Sequence, residues 1–547
     1  MEQSFSTQTL DHLGIVAGIC QEIDLIGQID ARVPDTGRTV SVGQAVQAMV
    51  LNGLGFVGRA LYLMPEFFSA KPVDLLIGEG VEADDLNSDS LGKALDHLYE
   101  TGITEIFIAV SAYALRVYGI SVDFLHADTT AFSLHGEYET DDQDDEIEPQ
   151  PISITHGHSK DHRPDLKQAM LGLISAGQSR VPLYLEALSG NSSDKTTLLQ
   201  MVQSYKDQLS EDETMPPVVA DAAFYSASNI TPADEMEWVS RVPATLNEAK
   251  AALAETEPQA MTASSREGYR WQEMTSKYGG VEQRWLVVLY EPHRQRDLKR
   301  LDKQIDQEQR KLEKQLKKLH KRTFNCEADA QQALKDFDTQ WTFHTVNGTV
   351  QSRQRYARPG RPTPDSETIT AWVVEATIAQ DEAAIEQHRK PLGKHIIATN
   401  ITDAQRLPPE GLLSLYKAQN TSVERGFRFL KDPMFFAHSL FLKKPSRIMA
   451  LLMVMGLSLL IYALAEHHLR EQLSAQDQTI PDQKGKPTQR PTIRRVFQMF
   501  EGIHLLTIAV GNKRKRMVTN VSDLHQQIAT LLGQRILKFY VFEDGNL

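Results

Sequence analysis

Cysteine is scarce in this 547-residue chain, which contains only Cys20 and Cys326. Two cysteines cannot form a disulfide framework or a zinc site with several thiolate ligands, so the composition favours a reducing compartment. The first residues contain no basic segment followed by an apolar one, and no secretion signal is predicted. Together these absences predict a cytoplasmic protein.

An excess of positive charge is also absent, because 72 Asp and Glu outnumber 58 Lys and Arg to give a net charge of −14. An evenly acidic surface repels a polyanion, which argues against a simple basic coat protein for nucleic acid. The charge is uneven, however. Residues 293–322 hold 12 basic residues against 5 acidic ones, and residues 483–516 hold 9 against 1. Since charges beyond about 10 Å are screened in physiological salt, DNA binding along these basic surfaces is compatible with the acidic total.

Long hydrophobic runs are nearly absent. The exception is the segment 448–465, which has 18 residues without a charge and reaches the lower length limit of a membrane-spanning helix. Methionines and small residues soften its hydrophobicity, and no second span accompanies it. A helix buried in a large domain is therefore favoured, with a membrane-associated protein as the less favoured interpretation.

Apolar spacing predicts a helical N-terminal domain over residues 1–115. Apolar residues recur there every three or four positions. Ser41 is expected to cap one helix, and Asp89 or Ser90 the helix over 90–102. Short helices of this kind suit a DNA-binding helix-turn-helix module and, equally, a plain packing domain.

Residues 116–249 alternate strand-like apolar runs with helical segments. The predicted strands are 122–128, 167–177, 181–190, 216–221 and 235–243, and a helix is predicted over 195–209. This order predicts a mixed α/β domain around a central sheet.

Residues 250–394 interrupt that pattern and are predicted to form an inserted domain with strand-like runs. Within it, apolar residues at seven-residue intervals predict a charged helical arm over 293–322, either a protruding helical hairpin or a short coiled coil. Residues 395–470 return the chain to the core. Residues 471–547 are predicted to form a basic C-terminal region that starts with a polar, proline-containing loop.

Three acids form the candidate site. Asp128 and Asp221 each end a strand-like run. One aspartate after a strand is usually a turn residue or a helix cap, but two could bring carboxylates side by side at the ends of adjacent strands. The third acid, Glu424, lies on a predicted helix with Arg428 and Lys431 on nearly the same face. Taken alone, this helix is equally typical of an amphipathic surface helix with a Glu–Arg pair.

The sequence resembles the DDE transposases of bacterial insertion sequences, particularly the insertion-sequence-1634 type within the insertion-sequence-four superfamily. The matching stretches are HADTTAFSLHGEYE, GHSKDHRPDLKQ, LSGNSSDKTTL, VVADAAFYS, WVSRVP, YKAQNTSVERGFRFLKDP and PTIRRVFQMFEGI. They follow the family's order over roughly residues 10–520. The resemblance implies an α/β fold with an RNase-H-like mixed-sheet catalytic core, a β-rich and helical insertion, and a helical N-terminal domain that binds DNA.

The family motif around the third acid is kept in part. Glu424 and Lys431 have the expected spacing, with six residues between them. Tyr416 precedes Glu424 by eight residues instead of seven, and Gln419 stands where the family has an arginine.

The resemblance implies that Asp128, Asp221 and Glu424 are the catalytic residues and the ligands of Mg²⁺ or Mn²⁺, with two ions per active site. Paired ions suit phosphodiester cleavage, and Mg²⁺ prefers carboxylate oxygens. The side chains expected to contact DNA are Tyr416, Arg425, Arg428, Lys431, Lys160, Arg163, Lys167, Arg494 and Arg495.

Histidines near the first acid offer a competing zinc site with a His-x-His pair. They are His126, His135, His156, His158 and His162. Lysine and arginine interleave with them and suit phosphate better than a metal, so a DNA-facing loop is favoured. The segment 137–148, with eight acids, is expected to be a solvated loop, and alternatively to shield the site when DNA is absent.

The predicted protein is a transposase that binds the terminal inverted repeats of its element as a homodimer or larger assembly. It cuts the DNA with metal ions and joins the free 3′ ends to target DNA. It is expected in the cytoplasm of a prokaryote, associated with the nucleoid when DNA-bound, and not in a membrane. A catalytically retired, transposase-derived DNA-binding protein is the alternative.

Overall fold

The structure is a computed structural model, and it describes residues 3–35, 37–56, 60–136, 138, 150–159, 163–209, 214–357, 367–419, 423–432, 442–510 and 513–542. The chain divides into two compact units. Unit 1 comprises Met1–Ser240, Tyr278–Val281 and Ser414–Leu547, and unit 2 comprises Arg241–Lys277 and Glu282–Leu413. Unit 2 therefore extends beyond both bounds of the insertion predicted from the sequence.

The strands of the two units are numbered together in chain order. They are β1 (Gln3–Thr9), β2 (Leu125–Leu134), β3 (Lys167–Ala176), β4 (Pro182–Ser189), β5 (Val218–Ala220), β6 (Trp238–Val242), β7 (Thr262–Ala263), β8 (Tyr269–Tyr278), β9 (Val281–Tyr290), β10 (His344–Tyr356), β11 (Thr368–Gln380), β12 (Lys394–Thr399), β13 (Ile480–Pro481), β14 (Pro487–Thr488), β15 (His504–Val510) and β16 (Lys513–Thr519).

The helices are numbered in the same way. They are α1 (Leu13–Glu22), α2 (Leu25–Asp30), α3 (Val42–Leu54), α4 (Met64–Phe68), α5 (Val73–Leu76), α6 (Ser88–Thr101), α7 (Ile103–Tyr118), α8 (Asp194–Lys206), α9 (Ala227–Ile230), α10 (Asn247–Glu255), α11 (Glu291–Leu319), α12 (Glu327–Asp338), α13 (Glu382–Arg389), α14 (Pro409–Gln419), α15 (Val423–Leu430), α16 (Pro445–Ala475), α17 (Ile493–Met499), α18 (Asp523–Leu532) and α19 (Gln534–Tyr540).

The N-terminal region of unit 1 is helical, as the sequence predicted. Ser41 caps α3 in a capping box, in which its hydroxyl accepts from the Gln44 N–H and the Gln44 side chain accepts from the Ser41 N–H. The cap expected at Asp89 or Ser90 is wrong by two to three residues. Asn87 is the N-cap of α6, because its side-chain oxygen accepts from the N–H groups of both predicted residues.

The two ends of the chain form one structure, although the sequence suggested separate regions. Strand β1 pairs antiparallel with β15 along its whole length, from Gln3↔Val510 to Thr9↔His504. Strand β15 also pairs with β16, which carries the basic cluster near Arg516. This pairing was not predicted, since partners so distant in sequence leave no local signal.

The core sheet of unit 1 is mixed. Its strand order is β4–β3–β2–β5–β6. Strands β2, β3 and β4 are antiparallel neighbours, whereas β5 runs parallel to β2 and β6 runs parallel to β5. All five strands were predicted from apolar runs. The predicted end of the first strand at Asp128 is wrong, because β2 continues to Leu134 through pairing with β3.

Helix α16 contains the charge-free run of the sequence. By length and composition it is the one helix in the described residues that could cross a membrane, and 94% of its most apolar 18-residue window is buried inside the protein. Gly456 brings it close to β4, because a Cβ there would meet Leu185 on β4 and Phe107 on α7. The run is therefore a core helix, as the sequence favoured.

Unit 2 contains a second helix of similar length, α11, whose charged surface has one apolar stripe. Its buried residues are Leu301, Ile305, Leu312, Leu316 and Leu319. They pack against α12, α13 and the antiparallel hairpin β10–β11, with Phe337 and Val374 among the contacts. The apolar stripe of α11 is covered by other elements of unit 2. The prediction of a protruding helical hairpin or a short coiled coil is therefore wrong.

Candidate active site

The first two acids leave adjacent parallel strands. The pairing of β2 with β5 runs from Leu125↔Val218 to Ala127↔Ala220, and the next residues of the two strands are Asp128 and Asp221. Neighbouring strands lie about 4.8 Å apart, and in-register residues of a parallel pair share a face. The sheet therefore brings these two half-buried residues together across 93 residues of sequence.

Local hydrogen bonds hold both aspartates. The Asp221 carboxylate accepts from the Ala223 N–H at 2.9 Å, and the Asp221 carbonyl accepts from the Ser240 hydroxyl at 2.7 Å. The first bond is an Asx turn, the local structure expected of an aspartate that leaves a strand. Asp128 Oδ1 accepts from the Thr129 N–H at 2.7 Å.

Helix α15 lies over the face of the sheet that carries Asp128. In an antiparallel pair, opposite residues point to the same face, and Asp128 is paired with Leu173. A Cβ at Gly426 of α15 would lie 3.0 Å from Leu459 of α16 and 3.8 Å from Leu173. The glycine thus seats the helix between the sheet and α16. Helix α8 packs on the opposite face, where Gly172 contacts its Met201.

Glu424 belongs to this helix, two residues before Gly426, and its side chain lies outside what the structure describes. Lys431 directly follows α15, and its Nζ is 6.0 Å from the ring centre of Phe132. Phe132 is four residues after Asp128 on the same strand and so on the same face. The backbone of the third acid and a cation are therefore brought to the side of the sheet on which Asp128 lies.

The other residues predicted to contact DNA are scattered, and acids already pair with several of them. Arg163 makes a two-pronged ion pair with Asp165, which lowers the pKa of that carboxyl to about 2. Arg494 bonds to Asp432 at 2.6 Å and stacks on Phe56.

Lys167 donates to the Tyr138 carbonyl at 2.7 Å. Arg428 is exposed, whereas Tyr416 and Arg495 are half-buried. The predicted residue Lys160 lies outside the described residues, as does the acidic segment 137–148 apart from Tyr138.

The histidines do not form a metal site in the part of the chain that the structure describes, where no three metal-ligating side chains are grouped. His126 is fully buried in β2, with no hydrogen-bond partner for either ring nitrogen among the described residues. Burial, and to a lesser extent the positive charge of Arg180, lower its pKa to about 3, so the ring is neutral. His162 lies outside the described residues.

Sequence reasoning missed a cluster of charged residues beside α15. Arg425 donates to Glu466 at 2.9 Å, and Arg470 contacts the same carboxylate at 2.9 Å. Glu466 is 7% exposed. Its position directly after the charge-free run was the one signal available, because a charge that closes an apolar run on a buried helix needs a partner.

Comparison with known families decides the class of protein. Residues 140–461, more than half of the chain, match the family described as transposase DDE domain, and residues 5–112 match a family described as a domain of unknown function. The chain belongs to the transposase DDE domain family. The matched segment of this transposase includes Asp221 and Glu424 and begins after Asp128. DDE transposases are DNA-cleaving enzymes that generally use divalent metal ions.

Other comparisons add little to this assignment. No curated protein matches the transposase sequence. Among solved structures, it is similar to the cryo-EM structure of the piggyBac transposase synaptic complex with hairpin DNA, with a TM-score of 0.36 and 10% sequence identity. The alignment covers 89% of this chain and 78% of the other.

Proposed function

We propose that this DDE transposase binds the terminal inverted repeats of an insertion sequence of the 1634 type, cleaves the DNA there and joins the 3′ ends to target DNA. Asp128, Asp221 and Glu424 are its catalytic acids. The observation that carries the proposal is the register of β2 and β5, which sets the first two acids side by side beneath the helix that bears the third.

The strand order of unit 1 supports an RNase-H-like core. Three antiparallel strands are followed by two that run parallel to the first, in the spatial order third, second, first, fourth, fifth. The first acid lies on the first of these strands and the second acid directly follows the fourth. A mixed sheet is what the family resemblance implies for the catalytic core.

The acids fit a divalent metal of the Mg²⁺ type. Mg²⁺ prefers hard oxygen ligands and keeps several waters, so two or three carboxylates suffice. Asp128 and Asp221 supply such oxygens from adjacent backbone positions, and Glu424 would complete the set. When bound, a pair of ions activates the attacking oxygen and stabilises the leaving oxygen of a phosphodiester.

Cations around α15 suit the substrate. Lys431 reaches the side of the sheet that carries Asp128, and the exposed Arg428 is four residues after Glu424 on α15, so both can offer positive charge to a scissile phosphate. They hold and orient the phosphate, whereas the acids need no direct contact with it. Without these cations a second negative group would be repelled from the carboxylates.

The proposal is tested by cleavage of DNA that carries the element's ends, in Mg²⁺, with wild type and with Asp128→Ala, Asp221→Ala and Glu424→Ala. Each substitution is expected to abolish cleavage. Asp123→Ala is a matched control, because Asp123 is an exposed carboxylate just before β2. Full cleavage by any one of the three variants would refute the assignment of that residue. DNA binding without cleavage by the wild type would favour the retired binding protein.

A further inference from the structure

Unit 1 contains a cavity of about 370 Å³ beside the helix that bears the third acid. Its wall is formed by α15, α16, the turn between β3 and β4, and the segment before α17. Four arginines line it: Arg180, Arg425, Arg470 and Arg490. Each comes from a different one of these four segments, so the cavity exists only in the folded protein.

The buried carboxylate at the base of this arginine cavity is already satisfied. Glu466 Oε1 lies 2.9 Å from Arg470, and Oε2 accepts from Arg425 at 2.9 Å and from the Ile493 N–H at 3.1 Å. Arg180 is further away, at 3.7 Å from Oε1. Arg470 also donates twice to the Pro491 carbonyl, at 2.9 and 2.7 Å. Arg425 and Arg470 therefore have a structural role, whereas Arg180 and Arg490 are not needed to pair Glu466.

The arginine cavity carries surplus positive charge. Four guanidiniums face Glu466 and the exposed Glu471, which leaves two charges unbalanced. Burial and the proximity of Arg425 lower the pKa of Arg180, and burial likewise lowers the pKa of Arg470 despite the attraction of Glu466. A structural ion pair needs one cation for each carboxylate, so the surplus indicates an anion from outside the chain.

Arg180 is held in this position at a conformational cost. Its φ is +62°, in the left-handed region that costs a non-glycine residue roughly 1–2 kcal/mol. Its side chain donates no hydrogen bond within the described residues. A turn of this kind is normally occupied by glycine or asparagine. The Arg180 guanidinium lines the cavity at 3.7 Å from Glu466, which leaves donors for a ligand there.

We propose that the arginine cavity binds a backbone phosphate of the DNA on which the transposase acts, with Arg180 and Arg490 as the contacting residues. This inference rests on the proposed function. Arginine offers a planar fork of donors that matches phosphate oxygens better than a lysine point charge. Arg425 directly follows Glu424 on α15, so this one helix positions both the third acid and part of the cavity wall.

The experiment measures DNA affinity of the full chain as a function of salt for wild type, Arg180→Gly and Arg490→Gln. Loss of one phosphate contact lowers the slope of log affinity against log salt by about 1 and weakens binding about tenfold near physiological salt. Lys206→Gln is the control, because Lys206 is a cation of unit 1 outside the cavity whose partner is Glu235 at 3.7 Å. It is expected to leave the slope unchanged.

The Arg180→Gly variant also separates binding from folding. Glycine adopts a positive φ without strain, so the melting temperature is expected to be equal or higher while the DNA affinity falls. A fall in both quantities would assign Arg180 a structural role and overturn the inference.

Two further outcomes are decisive. If wild type binds and cleaves DNA but both cavity variants keep the wild-type salt slope, the inference fails and the proposed function stands. If the wild type binds no DNA, the proposed function itself fails.

Inorganic phosphate at constant ionic strength is the second probe. Stabilisation of wild type but not of Arg180→Gly, with unchanged DNA slopes, would show that the cavity holds a free phosphate compound and not DNA.

Discussion

The acid pair on β2 and β5 and the arginine cavity lie toward the same face of one sheet and have opposite charge. The acid pair is set by strand register, since Asp128 and Asp221 occupy consecutive positions after the last paired residues. The arginine cavity is set by tertiary packing, since the turn at Arg180, α15 and α16 meet around Glu466. The proposed catalytic acids therefore depend on the register of two neighbouring strands, whereas the proposed phosphate site depends on contacts between distant segments.

The largest expected effect is on DNA cleavage, and it distinguishes the acid pair from the arginine cavity. Asp128→Asn is expected to reduce single-turnover DNA cleavage at least about 10³-fold, the scale of losses at catalytic residues. The DNA affinity should stay equal or rise, because a negative charge leaves the DNA-facing side. Cleavage and filter-binding assays on the same preparation give both values, with Asp123→Asn as the control. A loss of affinity matching the loss of cleavage would show that the residue acts in binding.

The second prediction removes the carboxylate of the arginine cavity. Glu466→Gln leaves Arg425 and Arg470 without their counter-charge in a half-buried site, which is expected to lower the free energy of unfolding by about 3–5 kcal/mol. The exposed neighbour Glu471→Gln should change it by less than about 0.5 kcal/mol. Chemical denaturation measures both. Equal effects of the two substitutions would contradict the buried ion-pair network.

The third prediction concerns pH. The pKa of His126 falls from 6.5 to about 3 on folding, so the unfolded chain takes up its proton first as the pH drops. The stability that the neutral His126 contributes to the folded state is fully present above pH 6.5 and is lost progressively toward pH 3. At pH 5 the free energy of unfolding is lower by about 2 kcal/mol for this reason. His12, whose burial lowers its pKa to about 4, adds a similar loss.

Denaturation at pH 7 and pH 5 tests this prediction. Between the two pH values, the decrease in unfolding free energy should be about 2 kcal/mol smaller in the His126→Leu variant than in wild type. In the Arg180→Gly variant the pKa of His126 should rise, because Arg180 contributes to lowering it. An identical decrease in wild type and His126→Leu would show that the buried imidazole does not titrate.

The smallest effect is expected at Arg163, outside both regions. Asp165 already neutralises this arginine through two-pronged hydrogen bonds on the protein surface. Arg163→Gln should therefore weaken DNA binding by less than about twofold, as is typical of a surface pair. The salt-dependent binding assay applies again. A loss as large as that of Arg180→Gly would mean that Asp165 releases the arginine to DNA.

The strands of the core were readable from the sequence because each is a short apolar run bounded by turn residues. Predicted strands at 167–177 and 181–190 agree with β3 and β4 within about a residue at each end. The end of β2 was not readable, because the residues after Asp128 become buried only through pairing with β3. The candidate residues Asp128 and Asp221 were visible because each follows an apolar run.

The features that the sequence did not reveal are all long-range. Pairing of β1 with β15 joins segments about 500 residues apart. The stripe along α11 was correctly identified as apolar, but its partner was assigned to another helix of the same kind instead of the hairpin β10–β11. The arginines of the cavity are separate cations in the sequence. Only their packing around Glu466 in the folded protein shows that they line one cavity.

The most direct test of the acid site replaces its oxygen ligand by sulfur. Mg²⁺ binds thiolate poorly, whereas softer metals accept it. With Asp221→Cys, end-DNA cleavage is expected to be lost in Mg²⁺ and partly restored by Mn²⁺ or Cd²⁺, while Asp123→Cys cleaves like wild type in Mg²⁺. Wild-type cleavage by Asp221→Cys in Mg²⁺ would contradict the assignment of this carboxylate as a metal ligand.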